Sequence, residues 1–346
     1  MLRHLNFCSD LQKRVQHDVL SLLFFFFATI FANAQVLLPT PETAFDAQQH
    51  NFNPEVIKTR GIKKIVFEIV DKKDFEEVVD RSLTETYEFN ENGLLARYYY
   101  TTIAKSIVRE RIYRGKVETF TEYIFDTIST SYFYSGNNLI LKRYHDGLNY
   151  YESRYYRYDS LGNLTKELRY KETNNSPDKT VFMLGNQTLL GEDSCQWKNY
   201  SSLQRKCIFM NNENRPYRER VINFDSLGRK ISFRENYVAA AWITQESTFE
   251  YKNKRLISAQ FRGNANSDIL LRNTYEYDEQ NELYSEKQYR NDVLLKEISY
   301  ITVRDTNLLN SFVIRDPINK TIRIVKLKYD FGMLGKTSGL GENKTN

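Results

Sequence analysis

The chain has 346 residues, and its 49 lysines and arginines slightly outnumber its 44 aspartates and glutamates, which gives a formal net charge of +5. Both signs of charge are interspersed along the sequence. This pattern argues against a nucleic-acid partner, because nucleic-acid-binding proteins concentrate their cations on one face. The 25 tyrosines and 22 phenylalanines favour strands over helices, since aromatic side chains fit a pleated sheet surface.

The first 34 residues have the pattern of a secretory signal peptide. Basic residues that include Arg3 and Arg14 precede an apolar run, and the run ends at Ala32-Asn33-Ala34, a small-x-small site for signal peptidase. We therefore expect cleavage before Gln35, export to the periplasm, the cell surface or the extracellular space, and no membrane span after signal removal. A retained N-terminal anchor is the alternative, although the run is shorter than the ~20 residues of a spanning helix.

Residues 35–61 form a lead-in that contains one short predicted helix. Asn53 is a candidate N-cap, Pro54 suits the first helical position, and Gly61 can end the helix. A helix of two turns is not stable alone, so we expect it to cap the first edge of a sheet. The β-branched stretch that starts at Ile62 predicts the first strand.

A cassette then recurs along the chain: two aromatic or apolar residues at alternate positions, an Asp or Asn, and a short turn that contains Gly or Asn. The clearest copies begin at Tyr87, Tyr156, Ile222 and Tyr275. Asp or Asn at a turn entry accepts backbone N–H bonds, and Gly or Asn tolerates positive φ. The predicted turn residues are Asn90, Gly93, Asp159, Gly162, Asp225, Gly228 and Asp278.

The spacing of the cassettes predicts the fold class. They recur about every 25 residues, which leaves room for two strands and two turns per unit. An open sheet rarely exceeds ~10 strands without curling. We therefore predict an all-β fold over residues 62–331: a long antiparallel meander of repeated hairpins in a strongly curved, spiralling or partly closed sheet. Residues 332–346 should form a flexible tail.

The paired aromatics of the cassette have two interpretations. Alternation places Tyr156 with Tyr158, and Tyr275 with Tyr277, on one sheet face. A row of such rings is a candidate aromatic surface for a glycan or a protein, because tyrosine combines a rigid apolar ring with a polar tip. The alternative is that these rings form the core of the sheet.

Two cysteines remain after signal removal, Cys195 and Cys207. The turn-forming residues between them predict a hairpin that brings the two thiols together, and export favours a disulfide. Two buried free thiols are the alternative. A metal site is not expected, because only His50 and His145 remain as histidines in the mature chain.

The segments Tyr158–Leu164, Phe224–Arg229 and Tyr277–Leu283 resemble the YD repeat of Rhs-type proteins, Y-D-x-x-G-[NR]-[LI], over roughly residues 80–300. The whole chain is similar to short exported YD-repeat proteins of Bacteroidetes, and Tyr-x-x-Gly-x-Leu elements more weakly resemble the MORN-like repeats of immunity proteins. The Rhs resemblance implies a hollow β shell around a toxic C-terminal domain. This chain departs from that pattern, because the residues after Phe331 are too few for a toxin.

No catalytic motif stands out in the sequence. It contains no G-x-S-x-G, H-E-x-x-H, P-loop or G-x-G-x-x-G element, and turn formation accounts for the repeated aspartates. We therefore expect no cofactor and no enzyme activity. The sequence favours an exported scaffold or binding protein with a protein or glycan partner in the cell envelope. An immunity-like or toxin-associated protein and a cryptic glycan hydrolase are the alternatives.

Overall fold

The fold is seen in a computed structural model, which describes residues 35–45, 52–148, 150–178, 181–211, 213–240, 244–263, 269–303 and 308–332. Within these ranges the chain forms one helix, α1 (Pro54–Thr59), and 18 strands. The predicted signal peptide, His50 and almost all of the predicted tail lie outside the described residues. The strands are β1 (Ile62–Lys73), β2 (Val78–Phe89), β3 (Leu95–Tyr113), β4 (Lys116–Ser135), β5 (Asn138–His145), β6 (Tyr151–Tyr158), β7 (Leu164–Asn174), β8 (Leu184–Ser201), β9 (Gln204–Met210), β10 (Pro216–Phe224), β11 (Lys230–Tyr237), β12 (Thr244–Lys252), β13 (Arg255–Arg262), β14 (Leu270–Tyr277), β15 (Leu283–Arg290), β16 (Val293–Val303), β17 (Leu308–Asp316) and β18 (Thr321–Phe331).

The strands form one closed antiparallel barrel. Each strand pairs with the next in the chain, and β1 pairs with both β2 and β18. The seam between β1 and β18 runs from Ile62 opposite Phe331 to Lys73 opposite Thr321. The all-β antiparallel prediction is therefore confirmed, but the predicted strongly curved, spiralling or partly closed sheet is corrected to a fully closed barrel. Closure removes both edges, which would otherwise expose unpaired backbone groups.

Repeated β-bulges explain how the sheet curves enough to close. A register shift falls just before the last aromatic or apolar residue of successive cassettes, and a bulge bends its strand and increases the local twist. These shifts occur at Glu88/Phe89, Phe133/Tyr134, Arg157/Tyr158, Asn223/Phe224, Glu250/Tyr251 and Glu276/Tyr277. Because the bulge recurs in every second connection, its bend accumulates around the ring.

The N-terminal segment, residues 35–45, lies inside the barrel. Glu42 forms an ion pair with Lys230 on β11, and the Phe45 ring lies 5.8 Å from the Phe261 ring on β13. At the other end of the segment, Leu37 lies against β15 and β17. A segment this short can contact strands over so wide an arc only from within. Side chains that face it therefore define the inward face of the sheet.

The main hydrophobic core forms between this segment, α1 and the seam strands. The ring of Phe52 lies 4.8 Å from Tyr87 on β2 and 6.3 Å from Phe67 on β1, and both of those side chains are buried. Leu37 bridges to Phe52, and the backbone N–H of Asn53 donates to the carbonyl of Val36. The N-terminal segment is thereby joined to the helix that follows it.

Helix α1 starts at Pro54, as its fixed φ favours, and Val56 and Ile57 are its buried residues. The side chain of Asn53 makes no capping hydrogen bond. The helix covers no sheet edge, because β1 is paired on both sides. It packs instead on the turn between β2 and β3, where a Cβ on Gly93 would come 2.1 Å from the carbonyl oxygen of Pro54. Gly93, at φ +77°, is thus required by the turn and by the helix.

Among the described residues, no helix is long and apolar enough to cross a membrane, a finding that concerns helices only.

Candidate functional site

A cavity of about 320 Å³ lies between the N-terminal segment and the inward face of β14–β18, β1 and β2. Ligand-binding cavities have volumes of roughly 300–1,000 Å³ and are mostly apolar, with a few polar groups. This cavity fits that description. Its wall comes from strands far apart in sequence, and Leu37, Leu38 and Phe45 of the N-terminal segment form the opposite side.

The middle of the cavity wall is apolar. Inward-facing side chains of β16, β17, β18 and β1 supply it, and they continue the main core around the barrel. These residues are Ile298, Phe312, Ile314, Val325, Phe67 and Ile69. Their alternation follows directly from strand geometry, because every second side chain of each strand points inward.

Polar groups collect at the β15–β16 end of the cavity around Glu286. The carboxylate of Glu286 accepts hydrogen bonds from the hydroxyl of Tyr300 at 2.9 Å and from the amide of Gln288 at 2.8 Å. Burial raises the pKa of Glu286, and these two bonds only partly oppose the shift. A carboxyl in this setting favours its neutral form.

Lys296 on β16 lines the same end of the cavity. Among the described residues, its ammonium group has no hydrogen bond or ion pair within 4 Å. Its backbone lies opposite Gln288 of β15, so its side chain points inward beside the amide that binds Glu286. The site therefore presents a cation beside a buried carboxyl whose pKa burial raises.

The other end of the cavity, on β18 and β2, already has its charges paired. Arg323 donates to Asp71 through two nitrogens, at 2.7 and 3.2 Å, a bidentate geometry that guanidinium and carboxylate favour. Glu85 accepts a hydrogen bond from the hydroxyl of Tyr87 at 2.6 Å. The unmatched cation of the cavity is thus Lys296.

The predicted turn residues lie at the rim of the barrel, away from the cavity. In each cassette turn one side-chain oxygen accepts the N–H groups two and four residues on; for Asp159 these are Leu161 at 2.9 Å and Asn163 at 2.8 Å. The same pair of bonds is formed by Asn90, Asp225 and Asp278, and also by Asp146 and Asn211. Gly93, Gly162 and Gly228 have positive φ.

The hydrogen bonds that Asp159 accepts in its turn hold the pKa of its carboxyl below the usual range. Burial raises the pKa of Asp225, but the hydrogen bonds and ion pair with Arg229 outweigh burial and hold that pKa below the usual range as well. Both acids therefore stay ionised in their turns. The structure gives them no role beyond forming the turn.

The candidate aromatic surface of Tyr156, Tyr158, Tyr275 and Tyr277 is partly or fully buried. Tyr275 is buried, and the half-buried Tyr158 and Tyr277 donate their hydroxyls to backbone carbonyls of Leu139 and Leu256, both at 2.8 Å. Tyr251 and Tyr329 make the same bond to carbonyls 21 and 20 residues earlier, and Tyr134 makes it to the carbonyl of Leu95, 39 residues earlier. Tyr156 is also half-buried. No continuous row of accessible rings remains among these four tyrosines.

Cys195 and Cys207 lie on β8 and β9 and are joined as a disulfide, with Cα atoms 5.8 Å apart. They are diagonal neighbours, because Cys207 lies opposite Trp197 and Cys195 lies opposite Phe209. Trp197 donates its ring N–H to the carbonyl of Leu164 at 2.7 Å. It thereby takes the place of the cassette tyrosine in the irregular part of the repeat.

The two glutamates that line the cavity do not form a hydrolytic pair, and no metal-binding group occurs among the described residues. Glu85 and Glu286 both line the cavity, but four strands separate theirs, or about 24 Å along the wall at ~4.8 Å per strand. Glycoside hydrolysis needs two carboxyl groups within about 5–10 Å. His145 stacks on Tyr151 at 4.2 Å, and no group of three His, Cys, Asp or Glu in the described ranges could hold a metal ion.

The sequence did not reveal Glu286, Lys296 or Arg323 as site residues. Each lies on a strand without a motif of its own, and their proximity depends on closure and on the N-terminal segment. One signal was available: polar residues on strand positions predicted to face a core require a partner or a cavity.

No protein-family model matches the chain, and no curated protein is significantly similar to it. Among solved structures, the chain is similar to a porin-like protein from Bacteroides uniformis, with a TM-score of 0.34 and 13% identity over 78% of this chain and 98% of that one. The TcdB2-TccC3 complex has a TM-score of 0.19 and 9% identity over 72% of this chain and 21% of that one. The Photorhabdus luminescens Tc holotoxin pore has a TM-score of 0.17 and 8% identity, again over 72% of this chain and 21% of that one. Scores this low support no functional argument, and the YD-repeat resemblance rests on its motif alone.

Proposed function

We propose that this protein is an exported, non-enzymatic binding protein of the cell envelope, in which the closed barrel is a scaffold and the interior cavity holds a small amphipathic ligand. The cavity carries the proposal. It lies between the N-terminal segment and the wall, its middle is apolar, and charged groups lie at its ends.

The chemistry of the cavity wall supports a binding role over a catalytic one. Its two glutamates are too far apart to act as a pair, and Glu286 is held by Tyr300 and Gln288. No described residue supplies an activated nucleophile to the cavity. The glycan-hydrolase alternative therefore gains no support, and no specific contact favours an immunity-like or toxin-associated role.

The proposal also replaces the aromatic surface as the place where a partner binds. Tyr158 and Tyr277 donate their hydroxyls to backbone carbonyls, so these hydroxyls are not free to bind a protein or glycan. An interior ligand does not require them.

The experiment is a titration with N-phenyl-1-naphthylamine, a neutral dye that fluoresces in apolar sites. We expect saturable binding to the wild-type chain and loss of binding in Ile314→Trp, which fills the cavity. Val313→Trp is the matched control, because its neighbouring position on β17 faces outward. Equal binding by both variants, or no binding by the wild type, would refute the proposal. Unfolding midpoints of both variants show whether each is folded.

A further inference from the structure

We propose that the ligand of the interior cavity is a single-chain amphiphile with an anionic head group, which the ammonium group of Lys296 binds. This inference rests on the proposed binding function of the cavity and specifies its ligand class. It derives from the distribution of matched and unmatched charges along the cavity.

Lys296 faces two acidic groups, and both are engaged elsewhere. Asp316, the last residue of β17, lies within electrostatic reach of Lys296. It accepts hydrogen bonds from the backbone of Ile318 at 3.1 Å and Asn319 at 2.9 Å, and from the amide of Asn319 at 2.8 Å. Glu286 is held by the hydroxyl of Tyr300 and the amide of Gln288. Neither comes within 4 Å of the Lys296 ammonium, so an anionic ligand would supply its missing partner.

The opposite end of the cavity offers no competing site for an anion. Arg323 is the cation there, and both of its bonding nitrogens are bound to Asp71. Glu85 adds a negative charge beside it, which repels a second anion. The head group should therefore lie at the β15–β16 end.

The apolar middle of the cavity sets the shape of the rest of the ligand. From Ile298 the wall continues through Phe312 and Val325 to Phe67, which crosses β16, β17, β18 and β1 in turn. A flexible chain lying across these strands would cover this wall and displace water from it, and burial of its methylene groups would drive binding. A compact polar ligand would leave the wall uncovered.

The test compares decanoate, decyl sulfate and decyltrimethylammonium, each below its micelle concentration, as competitors of N-phenyl-1-naphthylamine. The wild type should bind both anions at least tenfold more tightly than the cation. Lys296→Met should weaken the binding of decanoate about tenfold or more, because a charge-assisted hydrogen bond in a partly buried site contributes about tenfold to a hundredfold in affinity. Lys296→Arg should retain the preference.

Lys326→Met is the matched control, because Lys326 lies on the outward face of β18 and is exposed; its affinities should equal those of the wild type. Equal binding of the anions and the cation by the wild type, or an unchanged preference in Lys296→Met, would overturn the inference while the dye still binds. Failure of the dye itself to bind would instead refute the proposed function.

Discussion

Tyr277 allows a direct test of whether the cassette aromatics are structural or form a binding surface. Its ring packs on the cluster that contains Phe249, Leu256 and Tyr275, and its hydroxyl donates to the carbonyl of Leu256 at 2.8 Å. Tyr277→Phe keeps the ring and removes this bond, so the free energy of unfolding should fall by about 1 kcal/mol. Tyr277→Ala also removes the ring and should lower it by about 3 kcal/mol, at the lower end of the range for aromatic truncation because the ring is half-buried.

Urea unfolding followed by circular dichroism measures both changes. Tyr284→Phe is the control, because Tyr284 is exposed and bonds only to the partly exposed side chain of Glu276; its midpoint should equal that of the wild type. The structural interpretation would be refuted if Tyr277→Phe and Tyr277→Ala both unfolded at the wild-type midpoint. Loss of ligand binding with unchanged stability would favour an aromatic binding surface instead.

Three further changes test other parts of the fold. Asn90→Ala removes the acceptor of two backbone N–H groups and should lower the free energy of unfolding by about 1–2 kcal/mol. Asn90→Asp should leave it nearly unchanged, because aspartate fills this position in other cassettes. Equal effects of the two substitutions would contradict the turn geometry. The double variant Cys195→Ala, Cys207→Ala should lose about 3 kcal/mol, and an unchanged urea midpoint after reduction of the wild type would contradict a stabilising disulfide. Burial raises the pKa of Tyr134 and Tyr156 to about 12, above the value of 10.0 in the unfolded chain. The contribution of these two groups to the free energy of unfolding is therefore fully present below pH 10 and is lost as the pH rises toward 12. The urea midpoint should fall over that interval, and a constant midpoint would contradict the burial of these rings.

The local parts of the fold could be predicted from the sequence because short-range chemistry determines them. Asp or Asn followed by Gly specifies a turn through bonds within five residues, as Asp225 and Gly228 show. The alternation of aromatics predicts strands for the same reason. The class of fold and the antiparallel order follow from these turns.

Closure of the barrel was not predictable in the same way. It depends on the sum of small bends at bulges such as Arg157/Tyr158 and Glu276/Tyr277, and a small change in each would leave β1 and β18 apart. The twist of a sheet has a known hand but a variable size, so a sequence pattern cannot fix the number of strands at which the edges meet.

The candidate site was beyond local reasoning for a related reason. Asn273 bonds to the backbone of Ala44, which lies 229 positions away in the chain, and Arg323 bonds to Asp71, 252 positions away. These contacts exist only once the barrel has closed around its N-terminal segment. The sequence showed Asn273, Arg323 and Asp71 as ordinary strand positions and Ala44 as part of the lead-in.

A cross-link across the seam between β1 and β18 tests whether the barrel is closed. Val66 lies opposite Lys328 on β18, so in the chain from Gln35 onward, Val66→Cys combined with Lys328→Cys should form an intramolecular disulfide on mild oxidation. Val66→Cys combined with Lys206→Cys, which lies far around the ring on β9, should not. Peptide mapping by mass spectrometry reads both results. A linked first pair with an unlinked second pair is what the closed barrel predicts, whereas two free thiols in the first pair would contradict it.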